Sequence, residues 1–181
     1  MTRSGMVRVA RRSDARDIAD IYGPIVRDTA TSFEIEPPDA PELRRRIAAT
    51  LEMYPWLVYE NERGLSGYAY ASAFHARPAY RWAAEVSVYV RARSRRRGVG
   101  RTLLTSLLDA LRRQGFFSAV ALIALPNEPS VTLFSSVGFR RVGAHHAVGY
   151  KLGRWHTVGR WERSLARRVA NPSEPTPFEE L

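Results

Sequence analysis

The chain of 181 residues contains no cysteine. This absence excludes disulfide bonds, thiolate metal sites, iron–sulfur clusters and a cysteine nucleophile. Long apolar runs are missing too, because the longest uncharged apolar stretch with helix potential, Phe116 to Leu125, stops at Pro126 and is far shorter than a membrane span. The N-terminus has no signal-peptide hydrophobic region, so we expect a cytoplasmic protein that does not bind a membrane.

Lysine is nearly absent as well: Lys151 is the only one, so 27 of the 28 basic residues are arginine. With 18 acidic residues the net charge is +10, a value that first suggests a nucleic-acid-binding protein. Residues 171–181 hold three prolines, three glutamates and no basic residue, which predicts a flexible, acidic, solvated tail with little capacity to pack. Residues 1–170 then form a single domain of net charge +13.

Apolar periodicity and turn residues predict alternating helices and strands, and hence an α/β fold with a mixed sheet. Helices are predicted from Ser13 or Asp14 to about Val26, from Asp39 onward, from Leu103 to Gly115 and from Asn127 to Gly138. Strands are predicted at Val7–Ala10, Trp56–Glu60, Leu65–Ala73, Ala84–Val90, Ala119–Leu125, Phe139–Val142, Val148–Leu152 and Val158–Leu165.

The turn after the Ala84–Val90 strand has the residue types of a phosphate-binding loop. It reads Arg95-Arg96-Arg97-Gly98-Val99-Gly100 and leads into an amphipathic helix. Glycines let backbone amides approach a ligand, and a helix N-terminus favours an anion. A dinucleotide fingerprint is excluded because Leu103 stands where its third glycine belongs, and a Walker loop would need Gly-Lys-Ser/Thr. The alternative is an ordinary helix start with a solvated basic turn.

This turn and its position resemble the signature of the GCN5-related N-acetyltransferases (GNAT), in which Arg95, Gly98 and Gly100 match Arg/Gln-x-x-Gly-x-Gly/Ala. Further segments resemble the phosphinothricin and methionine sulfoximine acetyltransferases of that family. They are Tyr54-Pro55-Trp56-Leu57-Val58, Ala76-Arg77-x-Ala79-Tyr80-x-Trp82, Glu85-x-Ser87-Val88-Tyr89-Val90, Leu125-Pro126-Asn127-x-Pro129-Ser130-Val131 and the segment from Gly149-Tyr150-Lys151 to Trp161. The resemblance implies a mostly antiparallel central sheet flanked by helices, the acyl-CoA N-acyltransferase fold. It also implies acetyl-CoA as co-substrate, a small-molecule amine as acceptor and a homodimer.

The resemblance assigns roles to individual residues. Glu85, the lone carboxylate of a strand whose other face is valine, matches the general base that deprotonates the amine. The alternative is a glutamate paired with a nearby arginine. Binding of acetyl-CoA falls to the end of that strand, to the arginine–glycine turn and to the next helix start: Val88, Tyr89, Val90, Arg95, Arg96, Arg97, Gly98, Val99, Gly100, Arg101, Asn127 and Ser130.

Substrate recognition is predicted for an arginine and a tyrosine. Arg77 can grip a carboxylate or phosphinate in a fork, and Tyr80 can add a directed hydrogen bond. His75 and Phe33 are candidates for the same pocket, with a surface loop and a core aromatic as the alternative explanations. The Trp155/Trp161 pair is assigned to packing at the core or at a subunit contact.

Two features depart from the family pattern. The position from which a tyrosine or histidine could protonate the leaving CoA thiolate holds Phe134, which leaves solvent or another donor such as Tyr89. Thr157 stands where family members commonly carry aspartate. Adjacent His145 and His146 would face opposite ways on a strand, so we expect no metal. The remaining alternatives are another acceptor amine (a protein N-terminus, an amino acid or an antibiotic) and a nucleic-acid-binding protein; we expect no nucleic-acid partner.

Overall fold

A seven-stranded sheet with helices on both faces organises the chain, and the computed structural model describes residues 5–181. The strands are β1 (Met6–Val9), β2 (Trp56–Asn61), β3 (Gly64–Ala73), β4 (Ala83–Val90), β5 (Ser118–Leu125), β6 (Arg140–Lys151) and β7 (Arg154–Ser164). The helices are α1 (Ala15–Asp28), α2 (Ala40–Met53), α3 (Val99–Gln114) and α4 (Glu128–Ser136). The strand order is β1-β2-β3-β4-β5-β7-β6; β4 and β5 pair in parallel, and the other neighbours pair antiparallel. The predicted mixed, mostly antiparallel fold is therefore confirmed.

Two hydrophobic cores lie on opposite faces of this sheet. On one face, the leucine stripe of α3, with Leu103, Leu107 and Leu111 fully buried, packs against β2, β3 and β4. On the other face, α1 and α2 bury Ile18 and Ile47 against the aromatic side chains of β2 and β3. Alternation along β4 divides its side chains between the two faces, which confirms the predicted valine face.

The C-terminal half of the sheet differs from the prediction. Instead of separate strands at Phe139–Val142 and Val148–Leu152, one strand, β6, pairs with β7 along its length. Register irregularities at Arg141/Gly143 and His145/Gly149 interrupt the alternation of side chains along β6. The alternating apolar pattern in the sequence is therefore lost between these positions, although β6 remains paired with β7 on both sides of them. The predicted pair of strands is therefore wrong, and the hairpin formed by β6 and β7 is long.

The segment 171–181 lies against the body of the protein. The Trp82 indole nitrogen donates to the Ser173 carbonyl at 2.8 Å, and the buried Gln114 side-chain amide donates to the Thr176 carbonyl at 2.8 Å. The Thr176 amide returns a 2.8 Å hydrogen bond to the Gln114 backbone carbonyl. The prediction of a tail with little capacity to pack is wrong here, because its backbone groups find partners that composition does not reveal. The boundary of the domain at residue 170 stays a prediction.

Candidate active site

The centre of the candidate site is a gap between β4 and β5. The two parallel strands pair over Ala83–Glu85 and Ser118–Val120, and the pairing ends there, although both strands continue for five more residues. The β5-facing amides and carbonyls of β4 beyond Glu85 therefore have no strand partner in the part of the chain that the structure describes. Exposed strand groups of this kind can hydrogen-bond an extended ligand that lies along them.

The glycine turn lies at the far end of this gap, where β4 stops and α3 begins. Gly98 occupies the N-cap position of α3 in a left-handed conformation, with φ of 82°, and Arg96 also has a positive φ of 56°. A Cβ at Gly98 would meet nothing within 4 Å, so open space lies beside its backbone. The first amides of α3 have no carbonyl partner within the helix. These features make the turn a candidate anion-binding site, as its arginine–glycine pattern predicts.

The start of α3 packs closely against the middle of α4 and the end of β4. A Cβ at Gly100 would lie 3.1 Å from Leu133 Cδ2 and 3.4 Å from Val90 Cγ2, so α3 fits tightly between α4 and the end of β4. Asn127 caps α4, its Oδ1 accepting a 3.2 Å hydrogen bond from the Ser130 amide. The structure thus brings the Val90, Gly100 and Asn127–Ser130 parts of the predicted cofactor set to one end of the gap.

Positive charge surrounds the same turn. The side chains of Arg95, Arg96, Arg97 and Arg101 are exposed, and within residues 5–181 none has a carboxylate within 4 Å. Arg95 Nε donates to the Val90 carbonyl at 3.3 Å, which ties the turn to β4. Because no acidic group compensates them, these guanidinium groups leave a concentrated positive potential beside the open amides.

Glu85 lies at the closed end of the gap, in the last residue pair that joins β4 to β5. It is half-buried, and burial raises the pKa of its carboxyl above the ordinary glutamate value. Among the described residues, no arginine, lysine or histidine nitrogen lies within 4 Å of this carboxylate, so none of them forms the ion pair of the alternative explanation. A desolvated, unpaired carboxylate at the end of a cleft has the properties of a proton acceptor.

An aromatic cluster covers the sheet on the Glu85 side. The Tyr89 ring lies 4.9 Å from the Tyr22 ring and 5.3 Å from the Tyr68 ring, and Tyr68 in turn stacks at 5.8 Å on Trp56. Burial raises the pKa of the Tyr89 hydroxyl well above its usual value, so this phenol is a weaker acid than a free tyrosine. Phe134 lies on the other side of the sheet, buried against Phe139 in the α3 core, and has no proton to donate.

Within residues 5–181, no contact gathers the four predicted substrate residues at Glu85. His75, Arg77 and Tyr80 lie on the exposed loop between β3 and β4, where the His75 and Tyr80 rings are 4.9 Å apart. Tyr80 lines a cavity of about 370 Å³ with Trp82, Phe117 and Arg168, away from the gap. Phe33 lies after α1, with its ring directly against Gly149 of β6. Their substrate roles stay predictions.

The sequence did not predict the structural roles of two buried residues near a second cavity, Lys151 and His156. Lys151, the single lysine, is buried and donates 2.6 Å hydrogen bonds to the carbonyls of Val26 and Ser32, and its own carbonyl lies 3.0 Å from His156 Nε2. His156 lines a cavity of about 290 Å³ between the end of β5 and the segment after α1. A lone lysine inside an apolar strand pattern was the available signal, because a buried ammonium needs hydrogen-bond acceptors.

The histidines and tryptophans outside the gap have other surroundings. His145 and His146 are exposed on β6, and residues 5–181 contain no group of three or more metal-ligating side chains. Trp161 is buried in the α3 core, whereas Trp155 is 64% exposed and lies edge-on to Tyr150. No helix within residues 5–181 is long and apolar enough to cross a membrane.

Comparison with known proteins gives consistent matches over this architecture. Residues 7–157 match the family model described as an acetyltransferase (GNAT) domain. The phosphinothricin N-acetyltransferase of Streptomyces viridochromogenes is 40% identical over 171 residues, which cover 94% of this chain and 91% of that protein. The L-methionine sulfoximine/L-methionine sulfone acetyltransferase of Salmonella typhimurium is 35% identical, with 82% of this chain and 88% of that protein covered. The crystal structure of a GNAT phosphinothricin acetyltransferase from Sinorhizobium meliloti in complex with acetyl-CoA superposes with a TM-score of 0.90 at 34% identity, covering 96% of each chain.

Proposed function

The chain belongs to the GNAT acetyltransferase family, and from this premise we propose that it acetylates the amine of a small glutamate-like amino acid with acetyl-CoA. Phosphinothricin, methionine sulfoximine and methionine sulfone define the substrate class, because relatives named for these compounds are 35–40% identical to the chain. The observation that carries the proposal is the β4–β5 gap, with the glycine turn at one end and Glu85 at the other.

In the proposed reaction, one end of the gap binds the phosphates of acetyl-CoA and the other end activates the amine. Acetyl-CoA binds with its phosphates at the Gly98 turn and the unpaired arginines, and the rest of the molecule extends along β4 toward Glu85. The amide groups at the end of β4, from Val88 to Val90, hold the thioester carbonyl. Positioning of this kind converts a bimolecular attack into a local one, which can lower the barrier by up to roughly 7–11 kcal/mol in the best cases.

Glu85 acts as the general base. The amine is protonated near neutral pH and must lose a proton before its nitrogen bonds to the acetyl carbon and the carbon–sulfur bond breaks. General-base assistance is worth about 10²–10⁴-fold in rate. Since burial raises the pKa of Glu85, the base becomes protonated, and activity falls, at a higher pH than for an exposed glutamate with its usual pKa of about 4.3.

Glu85→Gln tests this role. We expect kcat/KM for the amine to fall by about 10²–10⁴-fold, with unchanged affinity for acetyl-CoA in calorimetry, since the amide keeps the shape of the side chain and cannot accept the proton. The exposed Glu52→Gln on α2 is the matched control and should retain wild-type rates. Wild-type turnover by Glu85→Gln at saturating amine would exclude the base assignment.

A substrate panel separates the proposed amine class from the other acceptors. CoA release is measured with phosphinothricin, methionine sulfoximine, methionine sulfone, free amino acids and a peptide with a free N-terminus. We expect the glutamate-like compounds to give the highest kcat/KM, and turnover of the peptide alone would overturn the small-substrate assignment. A salt titration with duplex DNA tests the other class, for which strongly salt-dependent submicromolar binding without acetyl-CoA binding would be required.

We further propose that the enzyme is a homodimer and works in the cytoplasm, where acetyl-CoA is supplied. The support for a dimer is an exposed apolar surface on the β6–β7 hairpin, formed by Val148, Tyr150, Leu152 and Trp155, each more than half exposed. Because β6 is an edge strand, this surface combines apolar side chains with unpaired backbone groups, and surfaces of this kind are usually covered by a partner.

A further inference from the structure

A cavity of about 190 Å³ lies between α2 and the face of the sheet that carries Glu85. Its walls are the aromatic side chains of Tyr22, Trp56, Tyr68 and Tyr70, and the α2 residues from Leu43 to Thr50 close it from above. The α1–α2 core surrounds it, so the cavity is separate from the α3 side of the sheet. None of the residues assigned so far to acetyl-CoA or to the amine lines it.

The wall of this cavity contains a buried hydrogen-bond donor that has no acceptor among residues 5–181. Trp56 is only 3% exposed, and within the described chain its indole Nε1 has no acceptor. Buried donors are nearly always paired in folded proteins, and the rare exceptions tend to mark a place where a ligand or water belongs. The indole is held in position, because its ring stacks on Tyr70 at 4.5 Å and on Tyr68 at 5.8 Å.

The charged groups of the cavity are already satisfied by one another. Arg46 donates to both carboxylate oxygens of Glu34 at 2.8 and 3.1 Å and to Glu42 at 2.7 Å, and Arg45 forms two 2.8 Å hydrogen bonds with Glu42. Two cations and two anions therefore compensate each other, so an occupant is selected by its capacity to accept a hydrogen bond rather than by its charge. Aromatic walls favour a compact apolar body around the accepting atom.

The cavity lies on the same face of the sheet as Glu85 and close to it. Trp56 pairs with Tyr70, and Tyr70 pairs with Ser87, two residues along β4 from Glu85. From a strand spacing of about 4.8 Å and a rise of about 3.4 Å per residue, the backbones of Trp56 and Glu85 are about 12 Å apart on one face of the sheet. An amino acid whose amine is at Glu85 can therefore direct a side chain of glutamate length toward the indole.

We propose that this cavity binds the oxygen-bearing end of the acceptor amino acid's side chain, with the Trp56 Nε1–H donating a hydrogen bond to that oxygen. The inference rests on the proposed function and adds a specificity determinant to it. Side chains that end in a sulfone, sulfoximine or phosphinyl oxygen satisfy the donor, whereas an equally long side chain without such an oxygen leaves the buried N–H unpaired. Methionine sulfone and methionine share one carbon skeleton, and only the sulfone carries oxygens on its sulfur.

The variant Trp56→Phe tests the inference, because it removes the N–H and keeps a ring for stacking. Because no residue of the described chain accepts from this donor, its loss should allow normal folding. We expect KM for methionine sulfone to rise about tenfold, as for loss of one buried hydrogen bond, while KM for methionine changes less than twofold and kcat is retained for both. Trp161→Phe, equally buried in the α3 core, is the control and should leave the ratio of the two KM values unchanged.

Direct binding gives a second measurement that does not depend on turnover. In a ¹⁵N-indole spectrum of the wild type with CoA bound, one of the four tryptophan N–H signals should shift when methionine sulfone is added and not when methionine is added. Equal KM changes for both amines in Trp56→Phe, or no sulfone-specific indole shift, would overturn the inference. Absence of acetyl transfer to every amine by the wild type would instead overturn the proposed function, so the two failures are distinguishable.

Discussion

The glycine turn allows a substitution that separates backbone strain from ligand binding. Gly98 and Gly64 have nearly the same backbone conformation, with φ of 82° and 88°, and a Cβ at either would meet nothing within 4 Å. Gly98 lies at the start of α3 beside the gap, whereas Gly64 lies in the hairpin between β2 and β3. Alanine at either position therefore introduces the same left-handed strain and no steric clash, but only Gly98 faces the proposed phosphate site.

The expected magnitudes follow from this comparison. An alanine in the left-handed region costs about 1–2 kcal/mol, so both variants should lose about that much stability if the backbone keeps its conformation. At the Gly98 turn, which has open space, the free protein can release the strain by rearranging. Binding of acetyl-CoA must then restore the conformation, which raises Kd by about 5–30-fold because 1.4 kcal/mol corresponds to tenfold. For Gly64→Ala, Kd should be unchanged.

Calorimetric titration with acetyl-CoA and urea denaturation of both variants provide the test. An increase in Kd confined to Gly98→Ala would support placement of the phosphates at the turn. If Gly98→Ala loses clearly less stability than Gly64→Ala, the turn has rearranged; binding of acetyl-CoA within twofold of the wild type would then show that the amides of the turn do not contact the ligand. An equal rise in Kd for Gly64→Ala would refute the reasoning in another way, by showing that general destabilisation accounts for the effect.

Two further predictions concern assembly and stability. Replacing Tyr150 and Trp155 by arginine should convert a species of twice the 20.5 kDa chain mass into a monomer in light scattering, and a wild type that is already monomeric would contradict the dimer. Burial alone would raise the pKa of the Asp14 carboxyl. The 2.8 and 2.9 Å hydrogen bonds from Arg8 and the 2.7 Å hydrogen bond from the Arg11 amide have the larger, opposite effect, so the net shift of the pKa is downward. Asp14→Asn should therefore lower the free energy of unfolding by about 2–3 kcal/mol at pH 7 in urea denaturation. The difference in stability between wild type and variant should shrink as pH falls below about 4, because protonation of Asp14 in the wild type breaks the ion pair with Arg8. A stability difference that does not change with pH would exclude the ion pair as its cause.

Local patterns predicted most of the helices and strands because each depends on neighbours in the chain. The alternation in β4 and the leucine spacing of α3 placed those elements correctly, and the glycine pair placed the turn between them. The continuity of β6 was not predictable in this way, since its bulges erase the period-two signal and only pairing with β7 keeps it extended. The packing of 171–181 was missed for a similar reason: backbone hydrogen bonds to Gln114 and Trp82 depend on the folded partner and not on composition.

The site was predictable only where it follows one stretch of chain. Glu85 and the Gly98 turn belong to consecutive elements, so the sequence placed them at opposite ends of one strand. The gap itself is a relation between β4 and β5, and no residue type along either strand signals where their pairing ends. The Trp56 cavity likewise requires two adjacent strands, β2 and β3, together with α1 and α2, and only the folded protein brings these elements together.

The distribution of arginines explains why the net charge misleads as an indicator of function. In the folded protein, Arg8 is bound to Asp14 and Glu60, and Arg46 is bound to Glu34 and Glu42. Such pairs add to the count of basic residues and contribute little potential at a distance. The uncompensated charges at Arg95–Arg97 lie beside open amides at a helix start, where they reinforce one another. A compact ligand with several phosphates fits that arrangement better than a duplex, because a duplex needs cations spread along a surface whereas this turn concentrates them at one point.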